Sequence, residues 1–126
     1  MAITGIQFAF VYVSDLERAI AWYRDALGMP VRIDNPMPGG VGRWVEVAAP
    51  GSEAALVLLY GHSGWTPEKV GVETGIGLRA RDADATLLAF TERGVEFVHP
   101  IVKESWGWFA LIKDLDGNTF VIGGDE

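Results

Sequence analysis

From Gly5 to Gly28 the chain reads GIQFAFVYVSDLERAIAWYRDALG, and two periodicities follow one another in it. Alternation comes first: Ala9, Val11 and Val13 point to one side of a strand, and Phe8, Phe10 and Tyr12 to the other. Both faces of that strand are therefore covered. Ser14, with Glu17 three residues on, has the pattern of a capping box, and Leu16, Ile20, Tyr23 and Leu27 then recur at helical spacing. Gly28 supplies the helix stop.

The plan recurs from Gly75 to Gly94 as GIGLRARDADATLLAFTERG, with Asp82 in the place of Asp15 as N-cap and Gly94 in the place of Gly28. Leu87, Leu88 and Phe90 are its apolar helix positions. Each helix is followed by three strand-like runs: Pro30–Ile33, Arg43–Val47 and Ala55–Tyr60, then Glu96–His99, Trp108–Ile112 and Thr119–Ile122. Pro50-Gly51 and Asp116-Gly117-Asn118 are matching hairpin turns. An ordered repeat of this kind outweighs local propensity. It predicts an α+β fold of two tandem βαβββ modules, forming a curved, mostly antiparallel sheet around a cleft with the helices on the convex side. The expected boundaries are about 1–60 for module one, 61–74 for a Gly- and Pro-containing linker and 75–126 for module two, all in one domain.

Composition narrows the function classes. A chain of 126 residues, 49% of them hydrophobic, has apolar material for one core. Its net charge of −7 opposes nucleic-acid and anionic-membrane partners and mildly favours cations. The absence of cysteine excludes disulfides, thiol nucleophiles and thiolate metal sites. Neither a signal-peptide pattern nor a run long enough to span a bilayer is present, so a cytoplasmic protein is expected. There is also no Gly-x-Ser-x-Gly element or phosphate-cradling glycine loop.

The runs VSDLERAIAWYRDALGMPV, GVEFVHP and WGWFALIKDLDGNTFVI resemble the vicinal oxygen chelate superfamily, which includes glyoxalase I, extradiol dioxygenases and bleomycin-resistance proteins. The turn Asp114–Asn118 carries much of that resemblance, with Leu115 where the family usually has proline. Metal-dependent members place one ligand on the first and one on the fourth strand of each half. Counted from the motifs, those positions here are Phe8, a residue at or near Leu58, Gly75 and Val121. None offers a donor atom to a metal, so the expectation is a protein with no metal and no other cofactor. His62 and His99, even with Glu46, Glu73 or Glu104, match no ligand spacing.

Alternation assigns Phe8, Phe10, Tyr12, Trp44, Glu46, Leu58, Tyr60 and Val121 to the cleft; Trp106 and Trp108 lie on the approach to the seventh strand, where the two halves differ by one residue and the face of Trp108 is left open, and Glu104 is the second candidate acid. Arg79 and Arg81 fall on the cleft face of the fifth strand, in position to pair with the acids. An aromatic box containing a carboxylate suits a flat or cationic small molecule. The resemblance thus implies a metal-free binding protein similar to bleomycin-resistance members, acting as a homodimer. The alternative is a glyoxalase-like lyase, isomerase or dioxygenase that uses Glu46 or Glu104 as acid or base, or an unorthodox metal site. Aromatic stripes also pack cores and subunit interfaces, which is the competing structural explanation.

Overall fold

The computed structural model describes residues 2–126. Ten elements follow in order: β1 (Phe8–Tyr12), α1 (Leu16–Leu27), β2 (Val31–Pro36), β3 (Arg43–Val47), β4 (Ala55–Leu59), β5 (Glu73–Arg79), α2 (Ala83–Glu92), β6 (Glu96–Glu104), β7 (Gly107–Lys113) and β8 (Thr119–Gly124). They form two four-stranded mixed sheets, ordered β1-β4-β3-β2 and β5-β8-β7-β6, so each half is one βαβββ module. In each, the first strand lies parallel to the fourth and the remaining pairs are antiparallel. The chain divides into two compact units between Val70 and Gly71.

In module one, α1 packs on β3 and β4. Val11, Val45, Val47, Leu56 and Leu58 are fully or almost fully buried on the sheet, as are Ala19, Tyr23 and Ala26 on the helix. Burying a side chain of Leu58's size contributes roughly 1.5–3 kcal/mol. The cap of α1 differs from the capping-box reading. Asp15, one residue after Ser14, is the N-cap and accepts a hydrogen bond from the Arg18 N–H at 3.0 Å. Glu17 turns instead to Arg43, which also donates to Asp34 at 2.7 and 3.1 Å and ties β2, β3 and α1 together on the helix side. Gly28 ends the helix at φ 69, in the left-handed region where glycine is favoured.

Module two repeats the cap, with Asp82 accepting from the Ala85 N–H at 3.0 Å. Its helix rests on smaller residues than expected. Ala83 and Thr86 are buried, whereas Leu87 and Leu88 stand exposed. The core of this module is built instead by Trp108, Ala110, Ile112, Phe120 and Ile122 from the sheet.

The turn Asp114–Asn118 is a polar lock. Asp114 Oδ1 accepts from the N–H groups of Asp116 and Asn118, at 2.8 and 2.9 Å, and Asn118 Nδ2 donates to Asp114 Oδ2 at 2.9 Å. Asn118 Oδ1 then accepts from the N–H groups of Gly71 and Val72, at 2.8 and 3.1 Å, holding the approach to β5 beside β8. The strand boundaries run longer than the sequence runs: β2 reaches Pro36, and β6 continues through Pro100 to Glu104. The expected linker is partly an ordered cover for β1, since the Trp65 indole donates to the Val13 carbonyl at 3.0 Å and Lys69 lies 5.3 Å above the Tyr12 ring.

Candidate functional site

The face of each sheet turned away from its helix is set by the strand registers. In module one, Phe8, Phe10 and Tyr12 stand opposite Ala55, Val57 and Leu59, and Val57 stands opposite Glu46. Paired residues share a face, so this open face carries the three β1 aromatics, Trp44, Glu46 and Val57. The Trp44 ring lies edge-on to both Phe8 and Phe10, with centroids at 5.1 and 5.9 Å. Together the aromatics cover Val57 and Leu59, which are fully buried, while Phe10 itself remains 37% exposed.

The register also corrects two assignments. Leu58 pairs with Val11 and Val45, faces α1 and is wholly buried, so it is a core residue. Val57 occupies the open-face position. Because β4 is apolar at every residue, alternation along it gives no face, and only the pairing does. Tyr60 lies beyond the end of β4, where its ring packs on Trp65 at 4.8 Å rather than on the aromatic cluster.

Glu46 is the buried acid of this face, and its carboxylate is fully engaged. Oε1 accepts from Arg32 Nη2 and Nε at 2.8 and 3.3 Å, and Oε2 accepts from the Trp44 indole N–H at 2.9 Å. Arg32 in turn donates to the carbonyls of Ser52 and Glu53, at 3.2 and 2.9 Å. Burial pushes the carboxyl pKa up, but the indole hydrogen bond and the hydrogen bonds and charge of Arg32 outweigh it and hold Glu46 below the usual carboxylate range. A raised pKa suited to a general base is therefore not what this environment produces. The pair instead fixes the Trp44 ring. Arg32 escaped the sequence reading because a register shift between Val31 and Ile33 moves it out of simple alternation.

In module two the open face carries three rows across the sheet, Glu73, Thr119, Lys113 and Glu96, then Gly77, Val121, Leu111 and His99, then Arg79, Gly123, Phe109 and Val102, and beyond them the pair Gly107 and Glu104. Val121 and Trp106 are on hand there, 41% and 62% exposed. Trp106 stacks nearly parallel to Phe109 with centroids 6.0 Å apart, and the His99 ring is also close to parallel with Phe109 at 6.1 Å. Phe109 was not among the expected site residues. Trp108 was, with its face left open, and the register decides it: Trp108 points to the helix side, is 2% exposed, and its indole donates to the Glu126 carbonyl at 2.6 Å. Counting back from Val121 through the β7–β8 hairpin reaches Leu111 and Phe109, so the hairpin pairing was the signal that separates them.

Glu104 is exposed at the end of β6 and lines a recess of about 560 Å³ beside the N-terminus of α2, with Arg81, Asp84, Lys103 and Trp108. That recess has a charged rim bridged by Lys103–Asp84 at 2.9 Å, and it is not continuous with the stacked rings in residue content. Among the described residues neither of the two expected arginines pairs with Glu104, and the partner of Glu46 is Arg32. Arg81 lies 3.8 Å from Glu126, and Arg79 has no ion pair or side-chain hydrogen bond among the described residues.

The four positions that the resemblance assigns to metal ligands are, with Val57 in place of Leu58, Phe8, Val57, Gly75 and Val121, a set without a side-chain donor atom. Such a set does not fit a divalent ion. The histidines are engaged elsewhere: His62 Nε2 donates to the Arg43 carbonyl at 2.8 Å and His99 Nδ1 to the Pro100 carbonyl at 2.9 Å. No cluster of three or more His, Asp or Glu side chains placed to hold a metal occurs among the described residues.

Comparison with known proteins agrees with this architecture. YetH of Bacillus subtilis (strain 168), an uncharacterized protein, is 31% identical over 112 residues, 89% of this chain and 91% of that one. TnmS3, an antibiotic binding protein from Streptomyces sp. CB03234, superposes with a TM-score of 0.82 at 33% identity, covering 100% of this chain and 99% of its own. A superfamily member from Sphaerobacter thermophilus DSM 20745 gives 0.82 at 33% identity, over 96% and 97%. The family model for the Glyoxalase/Bleomycin resistance protein/Dioxygenase superfamily matches residues 5–122, and the chain belongs to that superfamily.

Proposed function

We propose that this protein binds a flat aromatic small molecule non-covalently and without a metal, on the open aromatic face of module one. The observation that carries the reading is the locked Trp44 ring standing edge-on to Phe8 and Phe10 beside a half-open surface. Aromatic rings held this way offer contact area at little cost in lost rotamer freedom. TnmS3 is described as an antibiotic binding protein, which supports a small-molecule ligand for its relative here.

The carboxylate alters the ligand class from the one composition suggested. Glu46 is already neutralised by Arg32, so it does not present a free charge to a cation. For the same reason the enzymatic alternative loses its first acid, and Glu104 lies among other residues at the α2 recess. The proposed state is a homodimer, in keeping with exposed Ile3, Ile6, Leu88 and Val98 and with β2 and β6 as open sheet edges. No described helix is long and apolar enough to cross a membrane, and we place the protein in the cytoplasm.

Titration with neutral 2-naphthamide tests the reading. Quenching of tryptophan fluorescence is expected, with affinity reduced at least tenfold by Phe10→Ser, a loss of order 1.4 kcal/mol. Unchanged fluorescence and unchanged amide NMR shifts at millimolar ligand would overturn it. Elemental analysis of the purified protein is expected to show no stoichiometric transition metal; a full equivalent would overturn the metal-free part.

A further inference from the structure

The open face of module two holds a cation that has no ion-pair partner among the described residues. Arg79 is the last residue of β5, exposed, and makes no ion pair or side-chain hydrogen bond among the described residues. Its row across the sheet runs Arg79, Gly123, Phe109. Two strand spacings set the Arg79 and Phe109 backbones about 10 Å apart, and the residue between them has no side chain. The adjoining row has Gly77 on β5 and Val121 on β8, and nothing lies within 4 Å of where a Gly77 side chain would begin. The result is a shallow depression over Gly77 and Val121, closed at Gly123 by the β7 backbone at Trp108 and Phe109, with a guanidinium on one bank.

The other bank is aromatic. Phe109 is flanked by Trp106, inclined by 7°, and by His99, inclined by 18°. Of the acids on this face, Glu73 and Glu96 belong to the row of Thr119, four residues along β8 from Gly123, or about 13 Å; Glu104 on β6, opposite Gly107, lies three strand spacings from β5, or about 14 Å; and Asp125, just past the end of β8, makes no ion pair with Arg79 among the described residues. Glu96 is moreover taken by Lys113 at 3.0 Å. The five donors of the Arg79 guanidinium are therefore without an acidic partner among the described residues.

We propose that this depression recognises the anionic oxygen of a planar aromatic acid, an aryl carboxylate or phenolate, whose ring lies against Phe109 and Trp106 while Arg79 takes the oxygen. The assignment rests on the small-molecule reading above and adds the sign of the ligand's charge, opposite to the one that the chain's net charge of −7 favours. Long-range attraction between this acidic chain and a cation is screened within about 10 Å at ordinary ionic strength, whereas a direct charge-assisted contact is felt at the site itself.

The test is isothermal titration calorimetry with 2-naphthoate and 2-naphthamide, which share a ring system and differ in charge. Against wild type, Arg79→Gln is expected to weaken 2-naphthoate about five- to tenfold and leave 2-naphthamide within twofold, the modest size reflecting an exposed arginine. Arg79→Lys should recover part of the loss, and Trp106→Ala should weaken 2-naphthoate. Far-UV circular dichroism and thermal melting establish that each variant is folded. If Arg79→Gln leaves 2-naphthoate within twofold of wild type, or weakens both compounds equally, the inference is overturned while the small-molecule reading stands. If neither compound binds wild type, both fall.

Discussion

Glu46 shows how one buried acid is assigned by its partners. A carboxylate on an aromatic face has two contrasting uses, as a desolvated base or as an acceptor that orients its neighbours. Here both oxygens are occupied, by Arg32 and by the Trp44 indole, and the second use prevails. Glu46→Gln is expected to cost about 2 kcal/mol, the scale of a charged hydrogen bond lost in a partly buried setting, measured by urea unfolding at neutral pH. Because the folded-state pKa lies below its ordinary value near 4.5, the stabilisation is complete above that value and is lost as pH falls through the lowered one. The stability gap between wild type and Glu46→Gln should therefore narrow between pH 6 and pH 3. A gap that stays constant would contradict the assigned role.

At the scale of strands and turns, register decides which side chains meet a ligand. Alternation placed Phe8, Phe10 and Tyr12 on one face correctly, because β1 alternates between aromatic and small residues. It failed on β4 and β7, where ALVLL and GWFALIK are apolar on both faces, and a shift of one residue exchanges the whole set. Leu58 and Trp108 went to the helix side, and Val57 and Phe109 to the open side. The turn Asp114–Asn118 sets one of these registers. Asn118 is fully buried and spends both ends of its amide on backbone and Asp114, so Asn118→Ala should destabilise by about 2–4 kcal/mol in thermal or chemical unfolding. Gly123 is required for a different reason. A methyl group there would run into the Trp108 carbonyl oxygen on β7, so Gly123→Ala should cost at least about 1–3 kcal/mol through overpacking. A neutral result at Gly123 would mean that β7 and β8 approach less closely than described.

For the whole molecule, a bound ligand should register as stability. A compound present at 100 times its Kd adds about 2.7 kcal/mol, which raises the melting temperature by several degrees for a domain of this size. Differential scanning fluorimetry with 2-naphthamide is expected to show that rise in wild type and much less of it in Phe10→Ser. Size-exclusion chromatography with light scattering is expected to give twice the chain mass; a monomer at working concentration would remove the homodimer proposal. What the linear order of residues determined by itself was the repeat: two βαβββ modules, their capped helices, their hairpin turns, and four positions without a metal donor. These are local or periodic properties, legible wherever polar and apolar residues alternate in a definite period. Which face Leu58, Trp108 and Phe109 occupy, that Arg32 neutralises Glu46, and that Arg79 is left unpaired were decided only by tertiary structure. The physical reason is that strands apolar on both faces carry no parity of their own, and a charge acquires its role from partners that the chain brings to it from distant positions.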